Sequence, residues 1–451
     1  MGPGLTAMIV LVLLIVIWTI FVKRNITEIA FIGLVVVCLF GGADAPKLFV
    51  EGIVYTCTDD VLFASLAFVV MSFLLQNSKI LDGLVHIFTR LFGRLSGGPA
   101  YVNTGISSFL GMMSGGNTPN AATSGAFTAD WMMETGWSKE QAATLIAANG
   151  GLAAGFPPSS SMFIVLAFPT VAAAVAEGEL YIALFVSGIY QVLWRIVYIQ
   201  YIVHKNKIQP TLHKGEHVDP IHTVLRKYGS ALLILIGVII PVGLNMGPVS
   251  QAIANRSEAW TEAIDSMNLL VWIPTMMILI ILIMDGKNIA KKFGSMDNFV
   301  KGLVPQFAQI AGMLVFIVSA SRVITLLGLD KDVEAVLEVL NLPPVITALV
   351  ILILVAFVAG PFSSTATLNS VGLMGHSILT GVGIDPLLAA VAMLVVASTE
   401  GASPPSSGAI YVACGLTSAD PPKTFFPLIV WFVVPIVLIA FLICIGILPV
   451  P

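Results

Sequence analysis

The chain has 451 residues, 57% of them hydrophobic and only 10% charged, with a formal net charge of −4. A mean hydropathy of +0.97 excludes an ordinary soluble globule, which carries about a quarter charged residues. No basic tract marks a nucleic-acid partner, and Cys38, Cys57, Cys414 and Cys444 have neither metal nor disulfide spacing, so they read as packing residues.

The apolar runs predict an all-α polytopic membrane protein. The first, Leu5 to Val22, has no basic residue before it and Lys23-Arg24 after it. That is the reverse of a signal peptide's charge order, so it reads as a retained helix with its N-terminus outside. Spans or half-spans follow at 28–42, 61–78, 101–113, 138–154, 161–176 and 180–203. The stretch 79–98, with Arg90 and Arg94, reads as an amphipathic helix along the surface. The second half offers 229–250, 268–284, 306–328, 345–359, 387–399, 407–418 and 425–448. Several are short of the roughly 20 residues that cross a bilayer.

Loop charges orient the chain. Lys205, Lys207, Lys214, Arg226 and Lys227 mark the 204–227 loop as cytoplasmic, and Lys287, Lys291, Lys292 and Lys301 do the same for 285–301. The acidic 329–344 segment, with Asp330, Asp332, Glu334 and Glu338, then falls outside.

Within the apolar chain, "GFPPSSSMFIV" (155–165) and "GASPPSSGAIYV" (401–412) share a PPSS motif. The motifs stand 247 residues apart (404 − 157). The same shift lays Thr118 on Thr365, Gly125 on Gly372 and Gly136 on Gly383, so "GWSKEQAA" meets "GIDPLLAA". The run at 101–113 starts after basic residues and its counterpart at 345–359 after acidic ones, so the two copies are expected to be antiparallel. This gives a first inverted repeat at 1–203, a cytoplasmic linker at 204–228 and a second repeat at 229–451. Inverted-topology repeats with matched breaks are the mark of a secondary transporter.

Each half has two breaks: "MSGGNTPN" (113–120) with "GFPPSSS" (155–161), and "GPFSST" (360–365) with "GASPPSSG" (401–408). Where a helix stops inside a membrane, its free amides and carbonyls need partners. Unwound carbonyls with Ser and Thr hydroxyls suit a hard cation such as sodium. The amide end of a following half-helix suits a carboxylate. On this reading Ser159 and Ser160 cap one half-helix, and Ser406 and Ser407 its mirror. Glu400 sits beside the second motif, where a carboxylate is costly and often functional. It reads either as a proton-coupling group or as the partner of a basic residue. Arg195 and Arg322 are expected near an interface, snorkelling or paired, and His376 reads as a packing or hydrogen-bonding residue.

The blocks "FGRLSGGPAYVNTGISSFLGMMSGGNTPNAATSGAF" (92–127), "TGWSKEQAATLIAANGGLAAGFPPSSSMFIV" (135–165) and "GIDPLLAAVAMLVVASTEGASPPSSGAIYVACGL" (383–416) resemble the large membrane subunit of tripartite ATP-independent periplasmic (TRAP) transporters, within the ion transporter superfamily. The resemblance implies sodium-coupled import of a small organic anion, a carboxylate or sugar acid, by an elevator in which a domain bearing two re-entrant hairpins slides against a scaffold. It implies a broken helix in each repeat and hairpin tips at Pro157, Pro158 and Ser159 and at Pro404, Pro405 and Ser406. It places sodium ligands at Ser114, Gly115, Asn117 and Gly155, and at Ser363, Thr365, Gly401 and Ser403. Substrate contacts fall on Asn117, Asn120, Ser160, Thr365 and Ser407. A small four-helix membrane subunit and a periplasmic binding protein are the implied partners, in the cytoplasmic membrane of a bacterium or archaeon.

The alternative is a proton-coupled carrier or exchanger of the same superfamily, working without a binding protein and titrating Glu400. An intramembrane enzyme lacks support: no His-Glu-x-x-His motif and no Gly-rich phosphate loop is present. No cofactor is expected beyond the coupling ion.

Overall fold

A computed structural model describes residues 2–22, 26–58, 60–114, 116–210, 220–245, 269–329, 331–332, 335, 342–360, 363–404 and 407–451. Of the expected site residues, Gly115, Pro405 and Ser406 lie outside the described residues, as does the side chain of Ser114. Among the described residues every regular element is helical.

The first half holds α1 (Pro3–Ile17), α2 (Ile26–Leu39), α3 (Ala45–Thr58), α4 (Asp60–Gln76), α5 (Ile80–Phe92), α6 (Gly98–Ser114), α7 (Asn117–Glu134), α8 (Lys139–Gly150), α9 (Leu152–Gly155), α10 (Ser160–Leu166), α11 (Pro169–Ala172) and α12 (Glu177–Asn206). The second half continues with α13 (Ile221–Tyr228), α14 (Ile236–Asn245), α15 (Leu269–Phe293), α16 (Met296–Leu326), α17 (Pro344–Ala359), α18 (Ser364–Thr367), α19 (Leu373–Gly381), α20 (Pro386–Ala397), α21 (Gly408–Thr417), α22 (Pro421–Leu428) and α23 (Val434–Cys444). A π-turn over Leu368–Gly372 joins α18 to α19 as one helical run, and another over Ile429–Val433 joins α22 to α23.

By length and composition, Glu177–Asn206, Ile221–Pro241, Val271–Phe293 and Pro421–Cys444 are each long and apolar enough to cross a membrane. Large apolar side chains such as Ile283, Phe357, Phe426 and Phe21 stand on the outer surface, as they do where lipid is the solvent. The expected amphipathic helix is α5, which buries Ile80, Gly83, Leu84 and Ile87 at helical spacing. Cys38, Cys414 and Cys444 are buried as expected, while Cys57 is exposed.

The helices form two packing groups. In one, α16 lies on α1, α2, α3 and α4, and α15 on α4 and α14. In the other, α6 to α10 and α12 pack with α17 to α23. Each group draws helices from both halves, so the segments 1–203 and 229–451 interleave in space.

The core group repeats itself. Shifting α8 by 247 residues gives the bounds of α20, and Gly136 and Gly383, just before them, both have positive φ, +103° and +89°. Ser138 caps α8 in a capping box with Gln141, and its counterpart Asp385 caps α20 by accepting from the Leu387 and Leu388 amides.

The contacts also correct one expectation. α6 and α7 pack side by side across their connection at 115–116, and α17 packs in the same way on the run α18–α19. These are the two hairpins. The helices flanking the PPSS motifs part company instead. α8 lies against α7 and α21, while α10 lies against α4, the 368–372 turn and α20. Pro157, Pro158, Ser159 and Pro404 therefore sit in interrupted helices, not at hairpin tips. Gly and Pro mark both kinds of break alike; only the neighbours tell them apart.

Candidate functional site

The far half of each interrupted helix packs on the other repeat. α21 lies on α7 and α8, and α10 lies on the 368–372 turn and α20. Such reciprocity brings the hairpin connections and the helix breaks toward one place. At its centre the Asn117 amide donates to Ser364 Oγ at 2.8 Å, and these two residues are 247 positions apart. Gly151 meets Ser398 in the same way: a Cβ on Gly151 would collide with the Ser398 carbonyl oxygen, and this pair also differs by 247 (398 − 151). Residues meeting their own counterparts are what an internal two-fold axis produces.

Around that axis the backbones come very close. A Cβ on Gly401 would stand 2.5 Å from the Gly151 nitrogen and 3.0 Å from the Ala147 carbonyl oxygen. Glycine is required at this crossing because no side chain has room between the two main chains.

Three helix starts face the crossing. α7 begins at Asn117 after an extended Gly116, α18 begins at Ser364 after its N-cap Ser363, and α21 begins after Ser407. All three gather around one side chain, Glu400. The Asn117 amide donates to Glu400 Oε2, and Ser407 Oγ lies 3.4 Å from Oε1. Ser364 lies beside the same carboxylate, and its hydroxyl donates to the Ala397 carbonyl at 2.9 Å. Glu400 is buried, on the 3₁₀ turn Ser398–Ala402 that ends α20. Among the described residues no basic side chain lies within ion-pair distance of it, so of its two expected roles the partner of a basic residue is not the one observed.

The other expected residues fall into four settings. Ser363 and Thr365 stand on the more accessible side, their hydroxyls 3.1 Å apart, with Ser363 also accepting from the Ala366 amide. Ser160 is half-buried at the start of α10, where the N-cap is Ser159, accepting from the Met162 amide at 3.2 Å. Ser403 is buried and donates to the Thr399 carbonyl at 2.8 Å. Asn120 belongs to the frame: fully buried, its amide donates to the carbonyls of Ser107, Asn149 and Gly150. It ties both arms of the first hairpin to the end of α8.

Several polar residues of this centre escaped the sequence reading. Asn149 donates to Asn103 Oδ1 at 2.6 Å and to Thr104 Oγ1 at 3.0 Å, and Asn103 donates to Thr128 Oγ1 at 2.8 Å. On α12, Gln191 accepts from Ser398 Oγ at 3.0 Å and lies against Gly155. Arg195, one turn along, is fully buried rather than snorkelling or ion-paired. It donates to the Ala148 carbonyl at 2.7 Å and the Gln191 carbonyl at 3.0 Å, and stacks over Phe432. Its charge meets carbonyls where α8 ends, the negative end of a helix dipole. Arg322, by contrast, lies over the Tyr55 ring. Ser364 was findable: it is the position that the 247-residue shift assigns to Asn117.

Among the described residues no cluster of three His, Cys, Asp or Glu is arranged to hold a metal ion. The oxygen atoms gathered at the junction are hydroxyls, carbonyls and the one carboxylate. A separate crevice of about 680 Å³, lined by Lys79, His86, Trp131, Lys227 and Asp285 among others, opens between α5, α13, α15 and the far end of α7. No junction residue lines it.

The family described as "Tripartite ATP-independent periplasmic transporter, DctM component" matches residues 5–449. No curated protein matches by sequence. In fold, the chain is similar to the Alcanivorax borkumensis YdaH transporter, with a TM-score of 0.61 at 15% identity over 90% of this chain and 89% of that one. It is also similar to Neisseria gonorrhoeae MtrF, of a class of antimetabolite efflux pumps, with a TM-score of 0.56 at 12% identity over 91% and 87% of the two chains.

Proposed function

Because this chain belongs to the DctM component family of tripartite ATP-independent periplasmic transporters, a family of secondary transporters, we propose that it imports a small organic anion of the carboxylate or sugar-acid kind together with sodium. The transport step takes place across the cytoplasmic membrane of a bacterium or archaeon. The family works with other membrane components and a substrate-binding protein. Here these are proposed to be a small four-helix subunit and a periplasmic protein that hands over the substrate.

One observation carries the reading: two hairpins and two interrupted helices from opposite halves meet at a polar junction inside an otherwise apolar chain. Irregular backbone at membrane depth is tolerated where it lines a cavity or binds a solute. Sodium takes hard oxygen ligands, and carbonyls of Gly155, Gly401 and Ser403 with the hydroxyls of Ser363 and Thr365 are of that chemistry. Ser114, Gly115 and Asn117 complete the proposed ion sites in the first half. Substrate would meet Asn117, Ser160, Thr365 and Ser407. The two packing groups support an elevator, the α6–α10 and α17–α23 group moving against the α1–α4 and α14–α16 group. Opposite orientation of the repeats in the membrane is part of this proposal.

The test is uptake of labelled gluconate and succinate into proteoliposomes carrying the full chain with its small subunit and binding protein. An inward sodium gradient should drive uptake of one of them, and an equal potassium gradient should not. Ser159→Ala with Ser160→Ala, and Ser406→Ala with Ser407→Ala, should abolish the sodium-driven part while the protein still inserts. Uptake indifferent to sodium, or unaffected by both double variants, rejects the proposal.

A further inference from the structure

Resting on that reading, we propose that Glu400 is a specificity-determining residue. Its carboxylate already fills the seat that three helix N-termini build for an acid group, so the substrate is a monoanion that meets this corner through hydroxyls, as a sugar acid does, rather than a dicarboxylate.

The geometry has the form of an occupied anion site. Asn117 and Ser364 open two helical runs of eighteen residues each, 117–134 and 364–381, and Ser407 precedes α21. Amide ends of helices carry partial positive charge and unsatisfied N–H groups. Glu400 receives the Asn117 amide, has the Ser407 hydroxyl 3.4 Å away, and lies beside Ser364, whose own hydroxyl donates to the Ala397 carbonyl. Every one of these neighbours is neutral. The other buried charged groups among the described residues, Arg195 and Asp285, are engaged elsewhere. The seat belongs to the two-fold frame, since Asn117 and Ser364 are counterparts. The carboxylate does not: the position matching Glu400 in the first half is Ala153 (400 − 153 = 247). A symmetric receptor for an acid group has thus been closed by one side chain of the protein. An incoming second carboxylate would meet like charge at short range and find its donors taken.

Chemical rescue tests the seat. Glu400→Ala leaves a space of carboxylate size among donors that have lost their acceptor. Thermal unfolding of the purified full chain is followed in choline acetate and in choline chloride at equal ionic strength. Acetate should raise the midpoint of Glu400→Ala saturably, and leave the wild type and Glu400→Gln unmoved. Equal effects of acetate and chloride on Glu400→Ala, or an equal acetate effect on the wild type, overturn the assignment. Glu400→Gln keeps the volume and removes the charge, and serves also where Glu400→Ala does not fold. It should bind succinate, added as the choline salt, roughly tenfold more tightly than the wild type does, the worth of one charged hydrogen bond. Equal or weaker succinate binding overturns the selectivity claim. Neither readout uses sodium or transport, so failure of sodium-driven uptake in the wild type would reject the proposed function without touching this one.

Discussion

The two halves of the junction share a frame and differ in what fills it. α8 and α20 start and stop at matched positions, are capped at matched positions, and follow glycines with matched left-handed angles. Their ends cross at Gly151 and Gly401. The charges break the match. Glu400 corresponds to Ala153 under the shift, while Gln191 and Arg195 on α12 correspond to Leu438 and Leu442. The matched positions therefore account for the shape of the centre, and the unmatched side chains for its chemistry. Features of the frame should respond equally to the same change in either half. Features of the filling should respond on one side only.

The crossing gives the largest effect. Gly151→Ala and Gly401→Ala each drive a methyl into main-chain atoms of the other repeat, and backbone, unlike a side-chain tip, has no rotamer to move into. Each should cost about 3 kcal/mol or more, read as a lowered midpoint of thermal unfolding. Under the 247-residue shift Gly151 matches Ser398 and Gly401 matches Ala154, so losses at both glycines support direct contact between the two main chains rather than matched positions. A loss confined to one of the two glycines would mean that the main chains do not meet at this crossing.

Arg195 comes next; its counterpart, Leu442, carries no charge. Arg195→Met keeps much of the apolar contact with Phe432 but removes the donors to Ala148 and Gln191. A hydrogen bond to a charged group is worth about 2 kcal/mol, and the expected loss of stability is of that size. The same unfolding measurement on Leu442→Met should show almost nothing. Similar losses at both positions would remove the claim that the filling is one-sided.

Much of this frame is legible in the amino-acid sequence. The 247-residue shift aligns Gly136 with Gly383 because a left-handed turn leaves few alternatives to glycine; the expected run 387–399 meets α20 within two residues, while the expected 138–154 runs four residues past the end of α8. The shift also contained the Asn117–Ser364 contact, which no apolar periodicity would reveal. What it missed has physical causes. α7 read as a broken stretch because Asn, Thr, Ser and Gly dominate its start, yet those small residues let it pack closely on α8 and α21; Gly125 leaves a methyl's room to Leu416 and Ile146. α3 was not seen as a helix at all. Its buried face is Gly52 and Thr56, and Thr56 hydrogen-bonds Ser319 across to α16 at 3.0 Å. A contact built of small polar residues leaves no hydrophobic stripe to count. Hairpin and interrupted helix were exchanged because proline and glycine announce a break without naming its neighbours.

The turn glycines offer a milder test of the frame. Gly136→Ala and Gly383→Ala place a Cβ where φ is +103° and +89°, at about 1–2 kcal/mol each. Both sites have space around them, so the cost is conformational and should be alike in the two halves. A pair of unequal shifts in the unfolding midpoint would mean that the surroundings, not the backbone angle, set the need for glycine.

The smallest effect separates frame from filling at a single position. Ser138 and Asp385 occupy the same cap site by different chemistry: a hydroxyl completing a capping box with Gln141 in one case, a carboxylate accepting from two amides before Pro386 in the other. Truncation to alanine should cost about 1 kcal/mol in each. Exchange is more informative. Ser138→Asp should be neutral or slightly stabilising, because the carboxylate accepts from the same orphan amides and complements the helix dipole. Asp385→Ser should retain most of its stability by the same route. If alanine costs the same as the exchange at both sites, the cap side chain does no more than fill space. The matched boundaries of α8 and α20 would then rest on the preceding glycines and on packing alone.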